Sequence, residues 1–265
     1  MIKINSGFDK LLGAAGKTLE VAPKLYDDVV QPAAKETGKI IETIPKSINA
    51  ALVPVRKWIL HKEYNLAETE KLLAKKLDSV DPNKIVQPEM HIAVPALQAI
   101  SYSMNNEDLR NLYSNLLAKS MNTDTRDSVH PAFVEIIKQL SPLDAQVLHI
   151  ICTNQVNPLI DINLFNTVTR AIRSNLQKNF TTIDIASPDL ISISIENLKR
   201  LNLIDVPYDG SYSNTKLYEK LYETEYYKSL EHVCSNYPDF KLDVHTKYIL
   251  VTDIGKSFYD ICIVD

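Results

Sequence analysis

One histidine is flanked by acidic residues at a spacing that could support acid–base catalysis. His130 lies between Asp127 and Glu135, just before a segment with helical periodicity. A histidine oriented by a carboxylate can take up and release a proton near neutral pH. The alternative is that His130 caps the helix predicted to begin at Pro131. We favour the capping role, because a catalytic site needs several convergent groups and the sequence shows only two acids nearby.

The other chemically reactive residues form no recognisable catalytic or metal-binding motif. The six histidines lack the HExxH spacing of a zinc protease, and the three cysteines include no CxxC pair. Gly13 and Gly16 come nearest to a phosphate-binding loop, but close helix packing or a bend explains them better. Asp27 and Asp28 are adjacent, so on a helix they would point about 100° apart. We therefore expect a protein that is not an enzyme and has no metal or other cofactor.

Cysteine usage and net charge indicate the compartment and the partner classes. Cys152, Cys234 and Cys262 are far apart and odd in number, which favours a reducing cytoplasm over a disulfide framework. We expect Cys152, on the apolar side of a helix, to be a buried and unreactive thiol. The net charge of −4 provides no bulk attraction to nucleic acid or anionic lipid. No secretory signal is evident, and no uncharged run approaches the ~20 residues of a membrane-spanning helix.

Apolar residues at helical spacing between residues 40 and 59 predict an amphipathic helix with basic residues beside its apolar face. Pro45 and Pro54 should bend or divide this helix. The face that could bind a membrane or a partner consists of Ile44, Ile48, Leu52, Val55, Trp58, Ile59, Lys46, Arg56 and Lys57. One interpretation is that this face packs in the core, against the helices of residues 92–140 or a second subunit. The other is that it contacts the inner face of the membrane after a trigger, and we favour packing at rest.

Helical periodicity extends from residue 63 to residue 140, with a proline-containing linker at residues 81–89. The clearest helix has an apolar stripe and a capping residue at Asn106. The stripe consists of Leu109, Leu112, Tyr113, Leu116, Leu117 and Met121. Three regions follow: a proline-broken amphipathic helical segment (1–62), a helical domain (63–140) and a third domain (141–265).

The pattern changes at Ser141, where SPLD predicts a capped helix. A second helix follows over residues 188–200, then strands at 203–208 and 246–252 and a closing helix through Ile263, which Asp253 is positioned to cap. This order is typical of a winged-helix module, so the fold class is mainly α, with helical N-terminal and central regions followed by a winged-helix-like α+β C-terminal domain. Residues 208–246 form a tyrosine-rich insertion. Tyr218, Tyr222 and Tyr226 are four apart, which predicts a helix inside it.

The candidate recognition helix, residues 188–200, has no net positive charge. Asp189 and Glu196 balance Lys199 and Arg200, the two residues that could contact DNA. DNA binding requires cations against phosphate, so nucleic acid is not an expected partner. A module that binds or packs against protein fits this helix better.

Several blocks of the sequence resemble the bacterial abortive-infection alpha (Abi-alpha) family. They are LYDDVVQPAAKETGK (25–39), LYSNLLAKSMN (112–122), VHPAFVEIIKQLSPLDAQVL (129–148) and VTDIGKSFYDIC (251–262). The resemblance implies a bacterial or mobile-element protein that stops growth or kills the infected cell before phage mature. It identifies no active site, so no catalytic residue is carried over to this chain.

We therefore expect an abortive-infection component that acts by protein interaction and by membrane contact, and not by catalysis. The expected partners are an unidentified host or phage protein, another copy of the chain in a homo-oligomer, and the membrane surface. The expected location is the cytoplasm, with peripheral contact at the inner face of the membrane. The alternative is a winged-helix DNA-binding regulator of a mobile-element or defence locus.

Overall fold

A computed structural model describes Ala50, residues 66–102 and residues 106–264 of the chain, and shows a mixed α+β protein in which helices predominate. The α-helices of these ranges are α1 (Leu66–Leu77), α2 (Met90–Tyr102), α3 (Glu107–Ser120), α4 (Ala132–Lys138), α5 (Pro142–Thr153), α6 (Pro188–Arg200), α7 (Glu219–Tyr222), α8 (Glu225–Ser235) and α9 (Asp253–Phe258). The strands are β1 (Pro158–Asn166), β2 (Ala171–Phe180), β3 (Ile204–Asp205), β4 (Phe240–Tyr248) and β5 (Leu250–Val251). Two antiparallel sheets result, one in the order β2-β1-β4 and one from β3 and β5.

Helix α3 lies at the centre of the principal core, where it contacts α1, α2, α4, α5 and a π-helical turn (Tyr259–Ile263). Asn106 caps α3, as predicted, by accepting a hydrogen bond from the Leu109 backbone N–H. Most of the predicted apolar stripe is buried, namely Leu112, Tyr113, Leu116, Leu117 and Met121. The buried Asn115 side chain donates to the Cys262 carbonyl over 2.9 Å, which ties the π-helical turn to α3.

The principal core extends across the predicted domain boundary at residues 140/141. Ser141 and Asp144 form the predicted capping box at the start of α5, and α5 then packs against α3 and α6. The rings of Phe133 in α4 and Phe258 in α9 meet edge to face, with centroids 5.5 Å apart. Residues on both sides of the boundary therefore share one hydrophobic core.

The predicted strands at 203–208 and 246–252 pair over only two residues each. Ile204 lies opposite Val251, and Asp205 lies opposite Leu250. This is the pairing that the winged-helix interpretation requires, although the winged-helix architecture itself stays a prediction. The single strand predicted for 246–252 is divided in two. Residues up to Tyr248 belong to β4 and pair with β1, whereas Leu250 and Val251 form β5 and pair with β3 in the other sheet.

The start of α9 shows a second difference from the sequence prediction. Thr252, and not Asp253, caps this helix, because its hydroxyl accepts a hydrogen bond from the Gly255 N–H. Gly255 lies against the backbone carbonyl of Leu203, just before β3. A Cβ atom at residue 255 would overlap with that carbonyl oxygen, so this close approach requires glycine.

The long hairpin of β1 and β2, between α5 and α6, was not predicted from the sequence. Ile160 and Ile162 of β1 are buried beneath the tyrosine-rich insertion, where α8 packs on β4. The insertion contains a helix, as predicted, and closes a second core. The buried members of this core are Ile160, Ile162, Phe180, Tyr218, Leu221 and Tyr227.

Candidate functional site

A largely buried ion pair lies inside the three-stranded sheet. Lys247 Nζ on β4 is 2.6 Å from Asp161 Oδ1 on β1, and the two side chains are 11% and 19% exposed. The same Nζ donates to Asn179 Oδ1 on β2 over 2.7 Å, so the pair connects all three strands. Charges that are withdrawn from water are stable only when an opposite charge and nearby hydrogen bonds compensate for the lost hydration.

Asn179 extends this network from the sheet to α6. It has a left-handed backbone (φ 51°) where the register between β1 and β2 shifts. Asparagine accepts this conformation more readily than most residues. Its backbone N–H donates to Asp161 Oδ1 over 2.8 Å, and its side-chain Nδ2 donates to Glu196 Oε1 over 2.6 Å. The polar atoms of this site therefore bind one another, which suits a structural role.

We expect Lys247→Met to lower the free energy of unfolding by about 3–5 kcal/mol, because Asp161 loses its counter-charge in a largely buried position. Asp161→Asn in the same chain should restore part of this loss. Urea denaturation of both single variants and of the double variant measures the coupling between the two sites. As a control, Lys256→Met removes an exposed pair with Asp253 and should change little. Additive effects of the two substitutions would contradict this account of the network.

His130 caps α4. Its Nδ1 atom accepts a hydrogen bond from the Ala132 backbone N–H over 3.1 Å. The neighbouring acids pair with basic residues near them in sequence: Asp127 lies 3.2 Å from Arg126, and Glu135 lies 2.7 Å from Lys138. The contacts of His130 therefore match the capping role better than a catalytic one.

We expect His130→Asn to change the free energy of unfolding by less than about 1 kcal/mol, because an asparagine Oδ1 can accept the same bond from the Ala132 N–H. If the chain protects against phage, as the family resemblance implies, the variant should protect a bacterial culture as well as the wild-type chain does. His130→Ala is the comparison, since it removes the acceptor and should cost about 1 kcal/mol. Thermal unfolding and plaque counts provide the two measurements. A folded His130→Asn variant that no longer protects would favour the catalytic hypothesis.

Burial makes two of the thiols poor nucleophiles. It raises the pKa of Cys152 to about 11, with a smaller contribution from the negative charge of Asp260. Burial also raises the pKa of the Cys262 thiol. Because the thiolate is the reactive form, little of either residue can react at neutral pH.

The two candidate DNA-contacting residues bind the protein itself. Lys199 Nζ donates to the Val206 carbonyl over 3.0 Å, and Arg200 Nη1 donates to Gln139 Oε1 over 2.9 Å. Nearer the start of α6, Leu190 and Ile193 are exposed. These contacts connect the end of α6 to neighbouring segments, and a role of Lys199 or Arg200 in DNA contact stays a prediction.

The predicted membrane- or partner-binding face lies outside the described residues. This applies to all nine of its members, Ile44, Ile48, Leu52, Val55, Trp58, Ile59, Lys46, Arg56 and Lys57. Asp27, Asp28, Gly13 and Gly16 also lie outside. Within the described ranges, every helix is too short or too polar to cross a bilayer.

An apolar pocket lies between α8 and the three-stranded sheet, and it was not predicted from the sequence. Its volume is 270 Å³, and it is lined by Leu164, Leu176, Leu230, Val233, Cys234, Tyr237 and Phe240. Val233 and Tyr237 are 57% and 58% exposed. An apolar depression with an exposed rim suits the side chain of a partner protein. The only sequence signal for it was the alternation of apolar and polar residues in β1 and β4.

Comparison with known proteins identifies one family. Residues 61–262, most of the chain, match the family described as abortive infection alpha. No curated protein matches the chain. A solved structure of an uncharacterized protein from the hydrocarbon-degrading marine bacterium Alcanivorax borkumensis is 13% identical, with a TM-score of 0.32, and the match covers 50% of this chain and 92% of that one. A likeness at this level supports no argument about fold or function.

Proposed function

The chain belongs to the abortive infection alpha family, and we propose that it acts in abortive infection by binding a partner protein and not by catalysis. The observation that carries this proposal is the apolar pocket between α8 and the sheet. Val233 and Tyr237 expose much of their apolar surface beside it. Covering that surface with a partner would remove it from water, which favours association.

The roles of the titratable groups support binding over catalysis. His130 accepts a backbone hydrogen bond, and the charges of Lys247 and Asp161 meet each other inside the sheet. Cys152 has a pKa raised to about 11 by burial. Each of these groups has a structural explanation, and none needs a substrate to explain its position.

The winged-helix-like interpretation of residues 141–265 belongs to the same proposal. Helices α5 and α6, the β3–β5 pair and α9 follow the order of such a module, with the β1–β2 hairpin and the tyrosine-rich insertion added to it. In this proposal, the winged-helix-like module binds a protein partner. The bonds of Lys199 and Arg200 within the chain favour this use over DNA binding.

We expect Val233→Glu to abolish protection in a bacterial culture challenged with phage, because a carboxylate at the pocket rim would be buried unpaired against the partner. The residue is exposed, so the variant should fold normally, which circular dichroism checks. Ile193→Glu, at an equally exposed apolar residue of α6, is the matched control and should protect normally. Full protection by a folded Val233→Glu variant would rule out the pocket as the binding surface.

We also propose that the face formed by residues 44–59 contacts anionic lipid at the membrane, in the cytoplasm of the host. Apolar residues beside Lys46, Arg56 and Lys57 support this proposal. One copy should bind lipid weakly, and several copies in an oligomer would bind more strongly through their effective concentration.

Lys46→Glu combined with Lys57→Glu should leave the fold intact and reduce flotation with anionic vesicles, because both changes reverse the attraction to the headgroups. Neutral vesicles provide the control. Flotation is measured before and after mild destabilisation of the protein. In the resting state, this face is expected to pack in the core or against a second subunit. If the wild-type chain floats in neither state while still protecting cells, membrane contact plays no part.

A further inference from the structure

Strand β2 has one unpaired edge. It is the outer strand of the order β2-β1-β4 and pairs with β1 on one side. Among the described residues, no strand pairs with its other side. Helix α6 contacts β2, and the buried residues of the strand all lie in its last four positions, whereas residues 171–176 are exposed. An exposed edge of this kind is a template on which another strand can form.

A groove on the sheet face begins at this edge. It is apolar toward Leu176 and mixed toward Ile172, where Asn166, Thr169 and Arg173 also line it. Leu176 lines the apolar pocket described above, and Ile172 lines an adjacent depression of 360 Å³. Phe240 lines both, so the two depressions are neighbours along β2. Ile172 is 57% exposed. A strand added to this edge would direct alternate side chains toward the groove, as in known cases of strand addition.

The same edge is basic. Arg170, Arg173 and Lys178 lie in the hairpin turn and in β2, and residues 167–180 include no acid. None of these three cations forms an ion pair with another described residue. In a chain with a net charge of −4, they form a local excess of positive charge. These cations would attract an acidic segment. They would repel the β2 strand of a second copy, which carries the same positive charges.

We infer that the β2 edge binds an acidic, extended segment of a partner protein, which adds to the sheet as a strand and places alternate apolar side chains in the groove beside Ile172 and Leu176. Backbone hydrogen bonds supply affinity in this mode, and the groove and the three cations supply specificity. This inference rests on the proposed function, because the partner is the protein that the chain binds during abortive infection.

The probe for this site is a fluorescein-labelled peptide in which glutamate alternates with valine, followed by fluorescence anisotropy. Three observations are expected: binding at low ionic strength, weaker binding at high ionic strength, and none by a matched peptide with lysine for glutamate. Methylating every backbone nitrogen should abolish binding, because neither edge of the peptide can then donate hydrogen bonds to a strand ladder.

Two variants locate the site on the full chain. Arg173→Glu should weaken binding of the glutamate peptide at least about fivefold, because it places like charges together. Ile172→Ser should also weaken it, by removing an apolar side chain from the groove. Arg126→Glu is the matched charge reversal on a segment outside the sheet and should have no effect. Both edge residues are exposed, and circular dichroism confirms that the variants fold.

Equal binding of the glutamate and lysine peptides, or equal binding by wild-type and Arg173→Glu chains, would overturn the inference. A dimer that sedimentation shows to be strengthened by Arg173→Glu would also overturn the inference, because a second copy of the chain would then occupy the edge. If the peptide fails to bind while Val233→Glu still abolishes protection, the acidic strand is wrong and the proposed function stands. If the peptide binds at β2 while Val233→Glu and Arg173→Glu chains both protect cells, the edge site stands and the proposed function fails.

Discussion

The ion pair of Lys247 and Asp161 is the contact on which the arrangement of both cores depends. It joins β4 to β1, and through Asn179 it reaches β2 and then Glu196 of α6. Helix α6 packs in the principal core, whereas the three strands carry the second core beneath the insertion. The three strands and α6 are thus joined by one connected polar network, in which each of the two charges has a bonded partner.

The chain uses its polar and apolar groups in opposite ways. Several side chains that could take part in chemistry or DNA binding instead form hydrogen bonds within the chain, as His130 and Lys199 do. Apolar side chains that would normally be buried are instead exposed around the pocket, as at Val233 and Tyr237. This exposed apolar surface is the one that we propose a partner protein covers.

Local features of the fold were predictable from the sequence. The stripe of α3 and the capping box of Ser141 and Asp144 depend on residues within a few positions of one another. The β1–β2 hairpin was not predictable in this way, since the exposed half of β2 lacks a regular alternation and its register is interrupted by bulges. The candidate site was missed for a related reason: its pocket is assembled from β1, β2, α8 and β4, and only the folded chain brings these segments together.

The hydrogen bond from Asn115 to the carbonyl of Cys262 also affects when the protein can fold during synthesis. It joins residues 147 positions apart, and the π-helical turn that carries Cys262 packs against the central helix α3. Ribosomes add roughly 5–20 residues per second, so α3 emerges several seconds before the segment that completes its surroundings. During this interval the nascent chain cannot complete its principal core. The principal core can therefore be completed only after Cys262 has left the ribosome.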